Sequence, residues 1–469
     1  MKTTKQILAI LLAAFLTFGM FAISASAAEP MYTGIHGELR ISSPDHDVSK
    51  EGNYEAVDLG GGTNGNMVVW LQKPGRYTVE LAPGVTEATH TTLMIVPAMR
   101  AGAAVQAEVT LRNLRMRAPL ISSKSIEPAI YLNYGSSYSN ITLKLEGKNV
   151  LTAPQGADPG GKYHFTNYLI NFAVVDNDTI CIEGSGSLTL DARGSANIGG
   201  MGKTFQGNAC EGYPKININS GVITAYGGEG MPGIGASNSA TYENGLDLRI
   251  NGGTVTSIGG QGAPGIGDMI YEWHEAGARF TSVTITGGAV TAIGNGAPGI
   301  GGCISEDSAV RAVATSGAIN GDAVVFANSI QNSIDLTRGL VFSNNVGTLY
   351  GNQVTVTEDV TFPAGSSLTI PAGKTLAVLA GKTIWNDGTI TNDGTVLANT
   401  PGYGNLIPEL HSHSYAAVVI PPTRTVQGCT VHTCHRCGDQ YVDSFTPVLK
   451  RSFLDWILYI FAFGWIWMR

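Results

Sequence analysis

Apolar and polar positions alternate over short runs through the middle of the chain. Lys215-Ile-Asn-Ile, Asp247-Leu-Arg-Ile and Ser282-Val-Thr-Ile each set apolar residues two apart. A period of two marks a strand with one buried face. Each run is followed by a Gly-containing turn and a second short β-branched stretch. Gly-x-Gly and Pro-Gly-Ile-Gly come next. Helical periodicity is absent, and so dense a supply of Gly and Pro excludes helices there.

The runs belong to an internal repeat. Ser220 to Gly235, Asn251 to Gly267 and Thr286 to Gly301 share one motif, and Ser185 to Gly199 is a degenerate copy. The Ile-Gly ends fall at Ile198, Ile234, Ile266 and Ile300, which are 36, 32 and 34 residues apart. A constant motif at variable spacing is one structural unit plus a loop of variable length. Strand, corner, strand, corner, strand predicts one coil of a parallel β-helix, whose inner face is buried only when coils stack.

Aligning the copies predicts ladders. Ile182, Ile218, Ile250 and Ile285 should stack; so should Leu188, Ile223, Val255 and Val290, and also Ile198, Ile234, Ile266 and Ile300. Thr189, Thr224, Thr256 and Thr291 should form an outward hydroxyl ladder. Burial of each Ile or Val stabilises by roughly 1.5–3 kcal/mol. Weaker alternating runs at Val109–Leu114, Ala129–Leu132 and Asn140–Leu145 extend the pattern upstream. Gln353–Thr357, Ser367–Ile370, Lys374–Val378 and Asp387–Val396 extend it downstream.

Composition narrows the class. Glycine supplies 61 of 469 residues without a three-residue period, which excludes collagen. At 43% apolar the chain is not a disordered one. A net charge of −8 argues against a basic nucleic-acid footprint, so no nucleic-acid partner is expected.

Both ends carry their own signals. Lys2 and Lys5, the apolar run Ile7–Ile23 and Ala25-Ser26-Ala27 read as a secretory signal peptide over 1–27, which makes the protein exported. Phe453 to Met468 holds one charge, Asp455, and is shorter than the ~20 residues of a spanning helix. Its Trp456, Tyr459, Trp465 and Trp467 suit a bilayer interface. The expectation is a membrane-associating tail without a full span; the alternative is a packed C-terminal helix. The tail resembles the aromatic tails of some Gram-positive surface proteins, although no LPxTG sorting motif precedes it.

The Gly-Gly-x-Val-Thr and Pro-Gly-Ile-Gly repeats resemble those of secreted surface proteins of Gram-positive anaerobes. Residues from about 105 to 235 are similar to right-handed β-helix carbohydrate-binding proteins with a pectate-lyase-like fold. The resemblance implies an all-β fold: a right-handed parallel β-helix (solenoid) with an N-terminal β cap and a C-terminal hydrophobic tail. The expected division is 28–90 for the cap, 91–403 for the β-helix (clear repeats at 180–301), 404–447 for a Cys/His-containing module and 448–469 for the tail.

Fold alone does not give function, because such solenoids host lyases, hydrolases, binding proteins and adhesins. Gly228-Glu-Gly-Met-Pro-Gly-Ile-Gly lacks the Lys-Ser/Thr ending of a phosphate loop, and it recurs, as solenoid corners do. The Asp of calcium-binding repeats is replaced by Pro264, Pro298 or Met231, so repeat-type calcium is not expected. Asp176-Asn-Asp178 supplies two carboxylates without an obvious third.

The inter-coil loops are more suggestive. Residues 201–215, 236–247 and 268–282 leave after Ile-Gly and return before the next alternating strand, so they should gather on one side. They carry Phe205, Tyr213, Tyr242, Tyr271 and Trp273 beside Glu243, Asp268, Glu272, His274 and Arg279. Aromatic rings that stack on sugar faces, with polar neighbours for the hydroxyls, would bind a polysaccharide or surface glycan. Packing of the loops onto the coil accounts for the same aromatics.

Six cysteines divide between the two regions. Cys181, Cys210 and Cys303 lie in the repeats at scattered spacings, which reads as buried small apolar residues; a Cys181–Cys210 pair across coils is the alternative, and spacing does not decide the connectivity. Cys429, His432, Cys434 and Cys437 match a zinc site in residue type and spacing. Export favours a disulfide, and free thiols remain a third possibility. The expected function is non-catalytic glycan binding at the cell surface. A polysaccharide lyase or glycoside hydrolase on the same fold and a purely structural stalk or adhesin are the alternatives.

Overall fold

The computed structural model describes residues 31–50, 57–61, 65–97, 105–121, 126–132, 139–158, 167–172, 179–204, 213–238, 245–270, 280–304, 315–408, 415–422, 427–434 and 440–447. The segments 1–27 and 448–469 lie outside these residues. Every named element is a strand, and most strands pair in parallel.

Three rows of parallel strands run through the repeats. Row 1 includes Val105–Arg112, Ser139–Glu146, Thr179–Gly184, Lys215–Ile218 and Asp247–Ile250. Row 2 includes Arg115–Arg117, Lys148–Thr152, Ser187–Asp191, Val222–Tyr226 and Thr254–Gln261. The long strand Ser282–Asn295 runs through both, and the two rows share one 19-stranded sheet. Row 3 forms a nine-stranded sheet that includes Ile130–Leu132, Asn167–Phe172, Ile198–Thr204, Ile234–Asn238 and Ile266–Ile270. Each strand pairs with its counterpart in the next repeat, 32 to 39 residues on in row 1.

Three of the four expected ladders form. Ile182, Ile218, Ile250 and Ile285 are register partners in turn, all at most 1% exposed. Leu188, Ile223, Val255 and Val290 follow the same course in row 2. Thr189, Thr224, Thr256 and Thr291 pair between them and are half-buried. The fourth ladder is corrected at its first member. Met201, not Ile198, pairs with Ile234, which continues to Ile266 and Ile300. Ile198 sits opposite Asn167 instead. The register follows Gly200-Met-Gly202, which is the equivalent of Gly233-Ile-Gly235.

Each ladder position touches its counterparts above and below, so small losses of volume are felt. Ile250→Val is expected to lower stability by about 0.5–1.5 kcal/mol, read from the midpoint of urea unfolding.

The two ends of the stack are built differently from its middle. Antiparallel pairing is confined at the N-terminus to Tyr32–His36, Leu39–Ser43 and Val57–Gly61 with their partners. Parallel pairing already begins at Met67–Leu71, which pairs with Thr91–Ile95. Leu39, Ile41, Val69 and Val79 share one hydrophobic core with Ile250, so residues before 90 belong to the main stack.

Downstream, the parallel order is broken where Ile334–Ser343 pairs antiparallel with Val346–Tyr350. Parallel pairing then resumes with a shorter period of 20 to 24 residues. A second core of Leu340, Phe342, Val354, Phe362, Leu376 and Ile384 fills this unit. The pairing period thus changes within 91–403, and two hydrophobic cores form. The second stack, built around the second core, lies against the outer face of row 2: Ala289 and Val324 belong to that core, and Glu358 Oε1 accepts the Gly253 N–H at 3.3 Å.

Candidate functional site

From Met67–Leu71 onward, each time the chain leaves a row 3 strand it enters row 1. Seven of these connections, 98–104, 133–138, 173–178, 205–212, 239–244, 271–279 and 305–314, fall outside the described residues. Their anchors are described. Row 3 strands are parallel and in register, as are those of row 1. The anchors therefore succeed one another along one edge, about 4.8 Å apart.

Of the ten residues singled out for ligand contact, Phe205, Tyr242, Glu243, Tyr271, Glu272, Trp273, His274 and Arg279 lie outside the described residues. Tyr213 and Asp268 are described, and both brace this edge. The Tyr213 hydroxyl reaches across an intervening repeat and donates to the Phe280 carbonyl at 2.8 Å. Asp268 sits in the middle of the row 3 strand Ile266–Ile270, at 3% exposure. Its Oδ2 accepts the Thr281 N–H at 2.7 Å, its Oδ1 accepts the Thr281 hydroxyl, and the Ala236 N–H adds a further bond. Burial pushes the Asp268 carboxyl up to about 6, against the downward pull of those donors.

Asp268 has company. Lys203, Ala236 and Asp268 occupy one ladder position in three successive repeats, and Ser237 follows Ala236. Lys203, Ser237 and Thr281 are fully buried. A polar layer thus lies beneath the anchors. The alternating pattern gave no sign of it, because Lys203 and Asp268 look like ordinary loop-edge residues in the sequence.

The outer face of row 2 holds a second cluster that the sequence reading did not assign. Asp191 and Tyr226 are register partners, and Arg193 joins them. Arg193 Nε donates to Asp191 Oδ1 at 2.9 Å and a terminal nitrogen donates to Oδ2 at 2.7 Å. The Arg193 guanidinium carbon lies 3.9 Å from the Tyr226 ring centre. Burial, the largest influence, holds the Tyr226 hydroxyl above its ordinary value despite the facing cation. Asp-x-Arg at 191–193 with Tyr one repeat later was the available signal. At the adjacent corner, Glu229 is raised by burial first and by the Asp158 charge second. The second stack covers this face from Gly253 and Ala289 onward.

The Cys/His region forms a three-stranded antiparallel sheet of Tyr415–Ile420, Gly428–Cys434 and Gln440–Thr446. Cys429 and His432 are three residues apart on one strand, so they leave opposite faces. His432 is engaged already: it lies parallel to Tyr441 with ring centres 4.4 Å apart, and its Nε2 is 2.9 Å from Asp443 Oδ1. Burial raises the Cys429 thiol. The Cys434 side chain and Cys437 lie outside the described residues, as do Cys210, Asp176 and Asp178. Cys181 carries a free thiol. Among the described residues no three His, Cys, Asp or Glu side chains gather as a metal-binding group.

No family model, curated protein or solved structure matches the chain. The likeness to pectate-lyase-like proteins therefore rests on the repeats alone.

Proposed function

We propose that this is an exported cell-surface protein whose main stack is a right-handed parallel β-helix and whose role is non-catalytic binding of a polysaccharide or surface glycan. The observation that carries the reading is the single edge at which seven successive connections are anchored. A repeating polymer meets repeating contacts there, at strand spacing. The connections carry Trp273, Tyr271, Phe205 and Tyr242 with polar neighbours, the mixture that holds sugars. The bonds between Asp268 and Thr281 tie together the two ends of the connection that carries Trp273. The aromatic tail then serves as the membrane-associating element.

The test is depletion of the purified full-length chain from solution by a panel of insoluble polysaccharides, with calcium and with chelator. Retention on one polysaccharide without soluble product, reduced at least tenfold by Trp273→Ala, is the expected result. Release of soluble oligosaccharide would replace the reading with a lyase or glycoside hydrolase. No retention on any member would leave a structural stalk.

A further inference from the structure

The second stack ends in the strands Thr389–Asn392, Thr395–Leu397 and Asn405–Pro408. Among the described residues no further strand pairs beyond them. Ile390, Val396 and Leu406 continue the ladders of Leu368, Leu376 and Ile384. Leu368, Leu376 and Ile384 are at most 2% exposed. Their end-layer partners are only half-buried. Leu379, Tyr403 and Ile407 stand around this end, 39 to 45% exposed. A terminal repeat ordinarily turns a polar face outward. This one leaves an apolar layer open.

One of the three end edges is closed to pairing. Asn399 Oδ1 accepts the Leu406 N–H at 3.0 Å, and its Nδ2 donates to the Leu406 carbonyl at 2.8 Å. The groups that a further strand would need there are taken. A second copy set end to end would lose that pairing. It would also bring like charges together, because the last coil, 387–408, holds Asp387 and Asp393 and no basic residue. The end therefore suits an occupant that packs on side chains, is apolar and carries positive charge at its margins.

We propose that the segment Phe453–Met468 of the same chain docks on this end, over Ile390, Val396 and Leu406. That segment holds one charge, Asp455, and Lys450, Arg451 and Arg469 flank it. Its Phe461, Phe463, Trp465 and Trp467 bring large apolar area. The reach is sufficient. Residues 409–414 carry the chain at most about 20 Å from Pro408 to Tyr415. Thr446 lies at the far end of the three-stranded sheet from Tyr415, about 20 Å along and 10 Å across. Residues 448–469 extend up to about 70 Å, which covers the return. A bilayer offers the same apolar surroundings, so the dock holds the segment until a membrane competes for it. The inference does not depend on the glycan reading.

The experiment uses the full-length chain in buffer without detergent or lipid. Tyr403→benzoylphenylalanine places a photo-cross-linker at the rim of the open end. Irradiation is expected to join it to peptides from 453–468 at the mass of one chain, with a yield independent of protein concentration. Phe461→Asp in the same chain should lower that yield at least fivefold, with an unchanged far-ultraviolet strand spectrum. Tyr403 is exposed and residue 461 lies outside the stacks, so neither change burdens folding. Cross-links to another segment, products at twice the mass of one chain, or no cross-link would overturn the proposal. So would a yield that Phe461→Asp leaves unchanged, or a wild type that aggregates without detergent because its tail is uncovered.

Discussion

Gly267→Ala is expected to lower stability by about 3–5 kcal/mol, whereas Gly262→Ala, in the same repeat, should lower it by only about 1–2 kcal/mol. A Cβ on Gly267 would lie 2.0 Å from the Gly301 carbonyl oxygen and 2.7 Å from its carbon, at a φ of +138°. The obstacle is backbone, which cannot rotate aside as a side chain can. The same contact recurs one repeat earlier, where a Cβ on Gly235 would meet the Gly267 oxygen at 1.8 Å. A substitution would therefore push neighbouring repeats apart. Gly262 has a φ of +78° but open space around the missing Cβ, so only the left-handed conformation penalises alanine there. Urea unfolding of the two variants, followed by circular dichroism, separates the two effects. Equal losses would show that close approach of backbones is not what Gly267 serves.

Close approach of backbones also decides what is legible in the sequence. The row 1 and row 2 ladders could be read because alternation of Ile, Leu and Val with polar residues reports burial directly. Row 3 could not be read the same way. Its register is set by a glycine pair, and the residue between the pair is free to vary. Met201 took the place of an isoleucine between Gly200 and Gly202, while Ile198 stood nearby as a decoy. Matching glycines rather than isoleucines would have found it. The second stack shows in the sequence as short strands between turns, but nothing local marks its 20 to 24 residue period as a separate unit. Burial of Lys203 and Asp268 was not legible at all. It depends on the register of three separated segments, which no local pattern encodes. The residues offered for ligand contact came from the connections, and of those only the two bracing residues, Tyr213 and Asp268, are described.

Asp268→Ala should be strongly destabilising, and by an amount that changes with pH. Removing the carboxylate strands the buried N–H groups of Thr281 and Ala236 and the Thr281 hydroxyl. Each unmatched group costs about 1–3 kcal/mol, which puts the total above about 3 kcal/mol in acid. The pH dependence follows from the raised carboxyl. Burial moves it from 3.8 to about 6, so the folded state holds the proton more tightly than the unfolded one. The stabilisation from that proton is complete below the unfolded value and disappears as pH rises through about 6. The alanine variant lacks this group, and all other carboxylates are common to both proteins, so their difference isolates it. The gap between wild type and Asp268→Ala should therefore be about 2 kcal/mol wider at pH 4.5 than at pH 7.5. Urea midpoints at the two pH values measure it. A gap that stays constant would mean that Asp268 titrates alike in the folded and unfolded chain, and that the polar layer under the connections is wetter than its 3% exposure implies.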